Sequence, residues 1–209
     1  SWYENGQMKD ERTFKDGKKD GLSTQWFENG QKESEVTYKD GKKDGLVTWW
    51  YENGKKKSEE TYKDGNKDGL YTEWNWNKNG QMKDERTYKD GKEDGLWTWW
   101  YENGQKQEEK THKDGKRDGL FTSWYENGQK RLEGTFKDDD YDGLYTEWYK
   151  NGQMSLEGTF KDNKRDGLFT EWYENGQKRN EGTYKVGTYV GTYVGLWTDW
   201  YENGQKKSE

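Results

Sequence analysis

The chain has no cysteine, proline, alanine or isoleucine, and leucine, valine and phenylalanine together supply only 21 of its 209 residues. Without cysteine there can be no disulfide framework, and neither a Cys nor a His cluster exists to hold zinc. The same absence suits a cytoplasmic home or a bacterial cell surface, so localisation stays open. No apolar run exceeds a few residues, which leaves neither a transmembrane helix nor a signal peptide in the given sequence. The 36 basic and 42 acidic residues are finely interleaved, with a net charge of -6. A sequence so mixed offers no basic stripe to track phosphates, so neither nucleic acid nor a membrane is expected as a partner.

By aliphatic content alone such a chain would be disordered. Against that stand 14 Trp and 16 Tyr, regularly spaced, and these rings must supply whatever core exists. The spacing follows a repeat. Asn-Gly recurs at 5, 29, 53, 79, 103, 127, 151, 175 and 203, in steps of 24 apart from one of 26 and one of 28. Gly-Leu keeps time with it at 21, 45, 69, 95, 119, 143, 167 and 195, preceded by Asp except at Val194. Residues 1–209 therefore read as a single array of about eight 24-residue repeats, with partial repeats at both ends. Because the chain opens and closes part-way through a repeat, continuation into further repeats or caps is expected.

Each repeat holds two segments, such as "GLVTWWYE" and "QKESEVTYK", rich in Thr, Tyr and Trp and lacking a helical stripe. Both read as strands. Asn-Gly favours a two-residue type I′ turn, and "DGKK" a slightly longer turn at the other end. With Asn29-Gly30 as the tight turn, Trp26 faces Glu33, Thr24 faces Glu35, Leu22 faces Thr37 and Gly21 faces Tyr38. Closing the next hairpin over Asp40 to Lys43 sets Tyr38 against Gly45, so each such ring lies between two glycines. The two length changes, "EWNWNKNG" near Trp76 and "KVGTYVGTYVGLWT" from Lys185 to Thr198, add even numbers of residues and preserve the alternation. The expected architecture is all-β, an open, elongated, single-layer antiparallel meander of about sixteen strands, roughly 75 to 80 Å long. A β-solenoid with one coil per repeat is the alternative.

The segments "EGTFKDDDYDGLYT" and "TYKDGKKDGLVT" resemble MORN repeats, in particular the bacterial variant, and the resemblance spans essentially the whole chain. This sequence has Asp where the standard pattern has the His of its His-Gly pair, and Tyr or Phe where Trp is usual. The resemblance implies β-hairpin repeats joined into an elongated sheet that serves as a scaffold or interaction surface. It brings no catalytic residue and no cofactor.

The chemical alternatives are sparse. Asp and Glu recur along the strands and turns instead of gathering in a sheltered pocket, so no catalytic pair is expected. His112, the only histidine, occupies a position where other repeats carry Tyr or Phe. The turns "DGNKDG" and "DDDYDG" match the start of a calcium loop, with Asp64, Asn66 and Asp68 in one and Asp138, Asp140 and Asp142 in the other. Their twelfth positions are Asn75 and Tyr149 instead of Glu, and most sister turns carry Lys at the second ligand.

The repeats differ most in the row after each leucine: Ser23, Val47, Tyr71, Trp97, Phe121, Tyr145, Phe169 and Trp197. The register places Arg86 between Tyr71 and Trp97, Lys110 between Trp97 and Phe121, and Gly134, Gly158 and Gly182 between the later rings. This row is the expected binding surface, with self-packing of the rings as the competing reading. The leading functional expectation is a non-enzymatic scaffold for protein-protein interaction. A cell-surface glycan-binding module, or a structural subunit that self-associates through open sheet edges, is the alternative.

Overall fold

A computed structural model describes residues 1–75, 81–185, 192, 193, 195 and 197–208. The widened turn at Trp76 and most of the duplicated "GTYV" stretch lie outside these residues. The chain forms two compact halves, Ser1–Gly104 and Gln105–Glu209.

The first half contains β1 (Asp10–Lys15), β2 (Lys18–Trp26), β3 (Lys32–Lys39), β4 (Lys42–Trp50), β5 (Lys56–Lys63), β6 (Asn66–Trp74), β7 (Met82–Lys89) and β8 (Lys92–Trp100). Each pairs antiparallel with the next. The second half continues with β9 (Lys106–Lys113), β10 (Lys116–Trp124), β11 (Lys130–Lys137), β12 (Asp140–Trp148), β13 (Met154–Lys161), β14 (Lys164–Arg165), β15 (Gly167–Trp172), β16 (Lys178–Lys185), β17 (Thr192–Tyr193), β18 (Thr198–Trp200) and β19 (Lys206–Ser208). These too form antiparallel neighbours, β13 meeting both β14 and β15, and β16 both β17 and β18. In each half the sheet is an open meander of tandem hairpins. The described residues contain no helix, and neighbouring strands run antiparallel, which sets the solenoid aside.

The central register is the expected one: Leu22 pairs with Thr37, Thr24 with Glu35 and Gly21 with Tyr38. Across the two-residue insertion Tyr71 still meets Arg86, and Arg86 meets Trp97, so the even insertion kept the faces in phase.

The turns are the reverse of expectation. The tight two-residue turn is Asp-Gly, where Asp40 and Gly41 both take positive φ, at 49° and 86°, as type I′ requires. The two extra residues on β4 are then taken up as an irregularity, so that Tyr38 faces Lys43 and not Gly45. Asn-Gly instead belongs to a three-residue loop, in which Phe27 N–H reaches Gln31 O at 2.8 Å and Gly30 N–H reaches Phe27 O at 2.9 Å. Only Gly30 has positive φ there. Trp26 consequently pairs with Lys32, not Glu33, and a bulge at Glu33 restores the register by Gln25 and Ser34. The gain and the loss of one residue cancel, which is why the wrong turn predicted the right rows.

Asparagine occupies the loop for its side chain. Asn29 Oδ1 accepts the Gln31 N–H at 2.9 Å, while its Nδ2 donates to Glu52 O of the next loop at 2.8 Å. Asn5, Asn127, Asn151 and Asn175 make the same donation to the following loop. Beside them the Tyr3, Tyr51, Tyr125, Tyr149 and Tyr173 hydroxyls donate to the carbonyls of Trp26, Trp74, Trp148, Trp172 and Trp200. At the other end, the Asp before Gly-Leu caps the next turn: Asp20 Oδ2 accepts the Asp40 N–H at 3.3 Å, and Asp44 Oδ2 the Asp64 N–H at 3.2 Å. Within each half, neighbouring repeats are thus fastened at both ends.

Candidate interaction surface

Alternation along the strands sorts the side chains onto two faces. One, the ring face, carries the variable row with the Tyr38 and Val36 rows beside it. In the first half it is a polar-aromatic weave: Lys19 and Lys43 lie 4.6 Å over the Tyr38 and Tyr62 rings, and Lys67 lies 4.8 and 5.1 Å over Tyr71 and Tyr88. Arg86 stands 4.1 Å over Trp97 and grips buried Asp84 with two nitrogens, Nε to Oδ1 at 2.8 Å and Nη2 to Oδ2 at 2.5 Å. Burial opposes the guanidinium charge, but the bonds to Asp84 outweigh it and its pKa is raised.

In the second half the weave becomes a run of rings. Phe136 and Tyr141 lie 4.1 Å apart, and Tyr141–Tyr145, Tyr145–Phe160, Phe160–Phe169 and Phe169–Tyr184 follow at 5.2 to 5.4 Å. Most of these contacts are edge-to-face, which suits the ring quadrupoles. Gly134 leaves room beneath them, since a Cβ there would stand 3.2 Å from both Tyr141 and Tyr145. Burial, the hydrogen bond to Glu147 and its charge push the Tyr145 phenol above its ordinary range. Burial likewise raises Tyr71 and Tyr62, beside Glu73 and Glu60 respectively.

Among the residues expected to bind, Phe169 is buried, and Tyr71, Arg86, Trp97, Lys110, Phe121, Tyr145 and Trp197 are half-buried. The register brings Tyr71, Arg86 and Trp97 into contact in the first half, and the run from Phe121 to Phe169 in the second. Much of their area faces one another. His112 is buried on this face, in the Tyr38 row.

The carboxylates of the calcium-like turns go to separate donors. Asp138 receives Lys116, Asp140 receives Asn163 Nδ2, Asp142 receives Lys161 at 2.6 Å, and Asp68 receives the Asp90 N–H. Asp64 is a turn residue whose N–H goes to Asp44, and Asn66 pairs with Lys63 across the strands. Among the described residues no group of three or more His, Cys, Asp or Glu is placed to hold a metal.

The opposite, leucine face was not expected to bind, and it carries four rows. Leu22, Leu46, Leu70, Leu96, Leu120, Leu144 and Leu168 alternate with threonines and stay 46 to 55% exposed. Beside them run glutamates alternating with buried threonines, such as Glu35, Thr48 and Glu59. Next comes a tryptophan row in which a lysine serves both neighbours: Lys32 bonds Glu35 at 2.9 Å and lies 5.7 Å over Trp50. On the far side of the leucines lies a lysine row, made in the first half by Lys15, Lys18, Lys39, Lys42, Lys63, Lys89 and Lys92, all exposed. Charges interleaved in sequence are therefore partly sorted by the fold, into a lysine row that the sequence concealed, with the turn aspartates at its margin. The signal available was period-two alternation: Lys39 and Lys42 flank the tight turn and must share a face.

These features define a class, a tandem β-hairpin repeat scaffold. The chain belongs to the MORN repeat variant family, whose model matches residues 1–16, 19–40, 43–64, 93–114, 117–138, 141–162, 165–185 and 193–209. No curated protein matches it. Among solved structures, a chain in the crystal structure of TcdB2-TccC3 aligns with 93% of this chain at 9% identity and a TM-score of 0.27. This chain spans 13% of that one, and a likeness so slight carries no argument. No helix among the described residues is long and apolar enough to cross a membrane.

Proposed function

We propose that this repeat scaffold is non-enzymatic and presents its leucine face for protein-protein interaction. The observation that carries this reading is the row of half-exposed leucines in each half, one per hairpin, bordered in the first half by a lysine row and a glutamate row. Apolar surface in a row with a charged border is characteristic of binding surfaces. The binding role expected of the variable aromatic row passes to this face, because those rings pack largely against one another. A glycan-binding role calls for open ring faces, and Lys32, Lys56, Lys106, Lys130 and Lys178 stand 5.6 to 5.9 Å over Trp50, Trp74, Trp124, Trp148 and Trp200. That arrangement favours the protein-binding reading.

The test is a photo-cross-linking amino acid placed at Leu46, and at exposed Lys57 on the ring face, in cells that make the protein. Adducts with protein from position 46 and few from position 57 are expected. Adducts from position 57 alone would overturn the assignment.

A further inference from the structure

We propose that the partner seated on the leucine face of the first half is a second copy of this chain, packed sheet to sheet about a two-fold axis that runs along that half's leucine row. The inference rests on the protein-binding reading above and names its occupant.

Pitch is the first argument. Leucines recur every second strand, about 9.6 Å apart. A second copy carries the same spacing, so along the first half each leucine stays opposite its own symmetry mate without drifting out of phase.

Charge is the second, and it selects the axis. Across the face the rows run lysine, leucine, glutamate and tryptophan-lysine, each about 7 Å from the next. A two-fold along the leucine row inverts that order in the partner, so lysines oppose glutamates on both sides and leucine meets leucine. A two-fold in the same plane but along the strands would set lysine on lysine and glutamate on glutamate. Only the first geometry is complementary. It also keeps the strands of the two sheets aligned, as in sandwiches with sheets about 10 Å apart.

The charges that need partners are present. None of the seven lysines named for the first half forms an ion pair within the described residues, in contrast to Lys32, Lys56 and Lys106, which hold Glu35, Glu59 and Glu109. Among the described residues Glu11 and Glu85 also have no cation partner, because Met8 and Met82 stand where other repeats have that lysine. In the second half Met154 does the same for Glu157. The eight strands and four rows of the first half offer a patch of about 38 by 20 Å, comparable to the ~800 Å² per partner of a stable interface.

The experiment uses the 209-residue chain in sedimentation velocity, with thermal melts alongside. The parent should pass from monomer to dimer with concentration and stop there, because an isologous contact closes on itself. High salt should weaken the dimer at least tenfold. A copy with Lys39→Glu, Lys42→Glu and Lys63→Glu should be monomeric, as should a copy with Glu35→Lys, Glu59→Lys and Glu85→Lys, and the mixture of the two should dimerise. Leu46→Lys with Leu70→Lys, both at half-exposed positions, should abolish dimers without a fall in melting temperature. A parent that stays monomeric, or folded charge-reversed copies that do not associate on mixing, would overturn the proposal. So would oligomers that keep growing, the mark of open sheet edges joining. A monomeric parent whose position 46 still cross-links other proteins overturns the second-copy proposal alone. Loss of all adducts there overturns the protein-binding reading as well.

Discussion

Asn29→Asp separates two explanations for the asparagine of the loop. The substitution is nearly isosteric and keeps the oxygen that accepts the Gln31 N–H at 2.9 Å, but it replaces the Nδ2 donor, 2.8 Å from Glu52 O, with an oxygen. One neutral hydrogen bond at an exposed site is worth about 0.5–1.5 kcal/mol, and a carboxylate facing a carbonyl adds repulsion. A loss of roughly 1–2 kcal/mol is expected. Asn29→Gly should also destabilise, since it removes both bonds. If the asparagine served positive φ, glycine there would equal or exceed the parent. Urea unfolding followed by tryptophan fluorescence decides it. Parent-like stability for both variants would refute the inter-repeat bond as the reason for the residue.

The remaining predictions concern packing, modularity and pH. Gly134→Ala should cost about 1–3 kcal/mol in urea titrations, because its methyl would crowd Tyr141 and Tyr145, each 3.2 Å from the new carbon. Phe169→Ala, which empties a buried ring position, should cost about 3–5 kcal/mol by the same measurement. Deleting residues 40–63, one whole repeat, should leave a folded shorter chain by circular dichroism and proteolysis, whereas deleting 40–51 should not. For pH, the Tyr62, Tyr71 and Tyr145 phenols are raised in the fold, so the folded state holds their protons when the unfolded chain has begun to lose them. Stability should therefore be intact below about pH 10 and fall as pH rises beyond it. Tyr145→Phe should lessen that fall in alkaline melts.

Period and alternation made much of this molecule readable. Thr24 facing Glu35 and Tyr71 facing Arg86 followed from the side-chain period of two, which tolerates compensating errors at the ends of a strand. The turns were less legible, because Asn-Gly and Asp-Gly both favour positive φ, and what assigned them was contact with the next repeat. Asn29 reaches Glu52, 23 residues on, and nothing within one repeat foretells that bond. The rings of the variable row stood out by their variety. Yet the leucines, uniform along the chain and thus apparently structural, are the residues left half-exposed. The lysine row was hidden for a related reason: charges mixed along the strand direction become sorted in the perpendicular direction only once the strands are laid side by side.

The absence of native cysteine permits a direct test of the leucine face as an interface between copies. A single Leu46→Cys substitution places a thiol in the row through which the two-fold is drawn, and Lys57→Cys places one on the exposed ring face. On mild oxidation at a concentration where the parent is dimeric, Leu46→Cys should trap a disulfide-linked dimer in high yield, while Lys57→Cys stays monomeric. Trapping at position 57 and none at 46 would contradict the account.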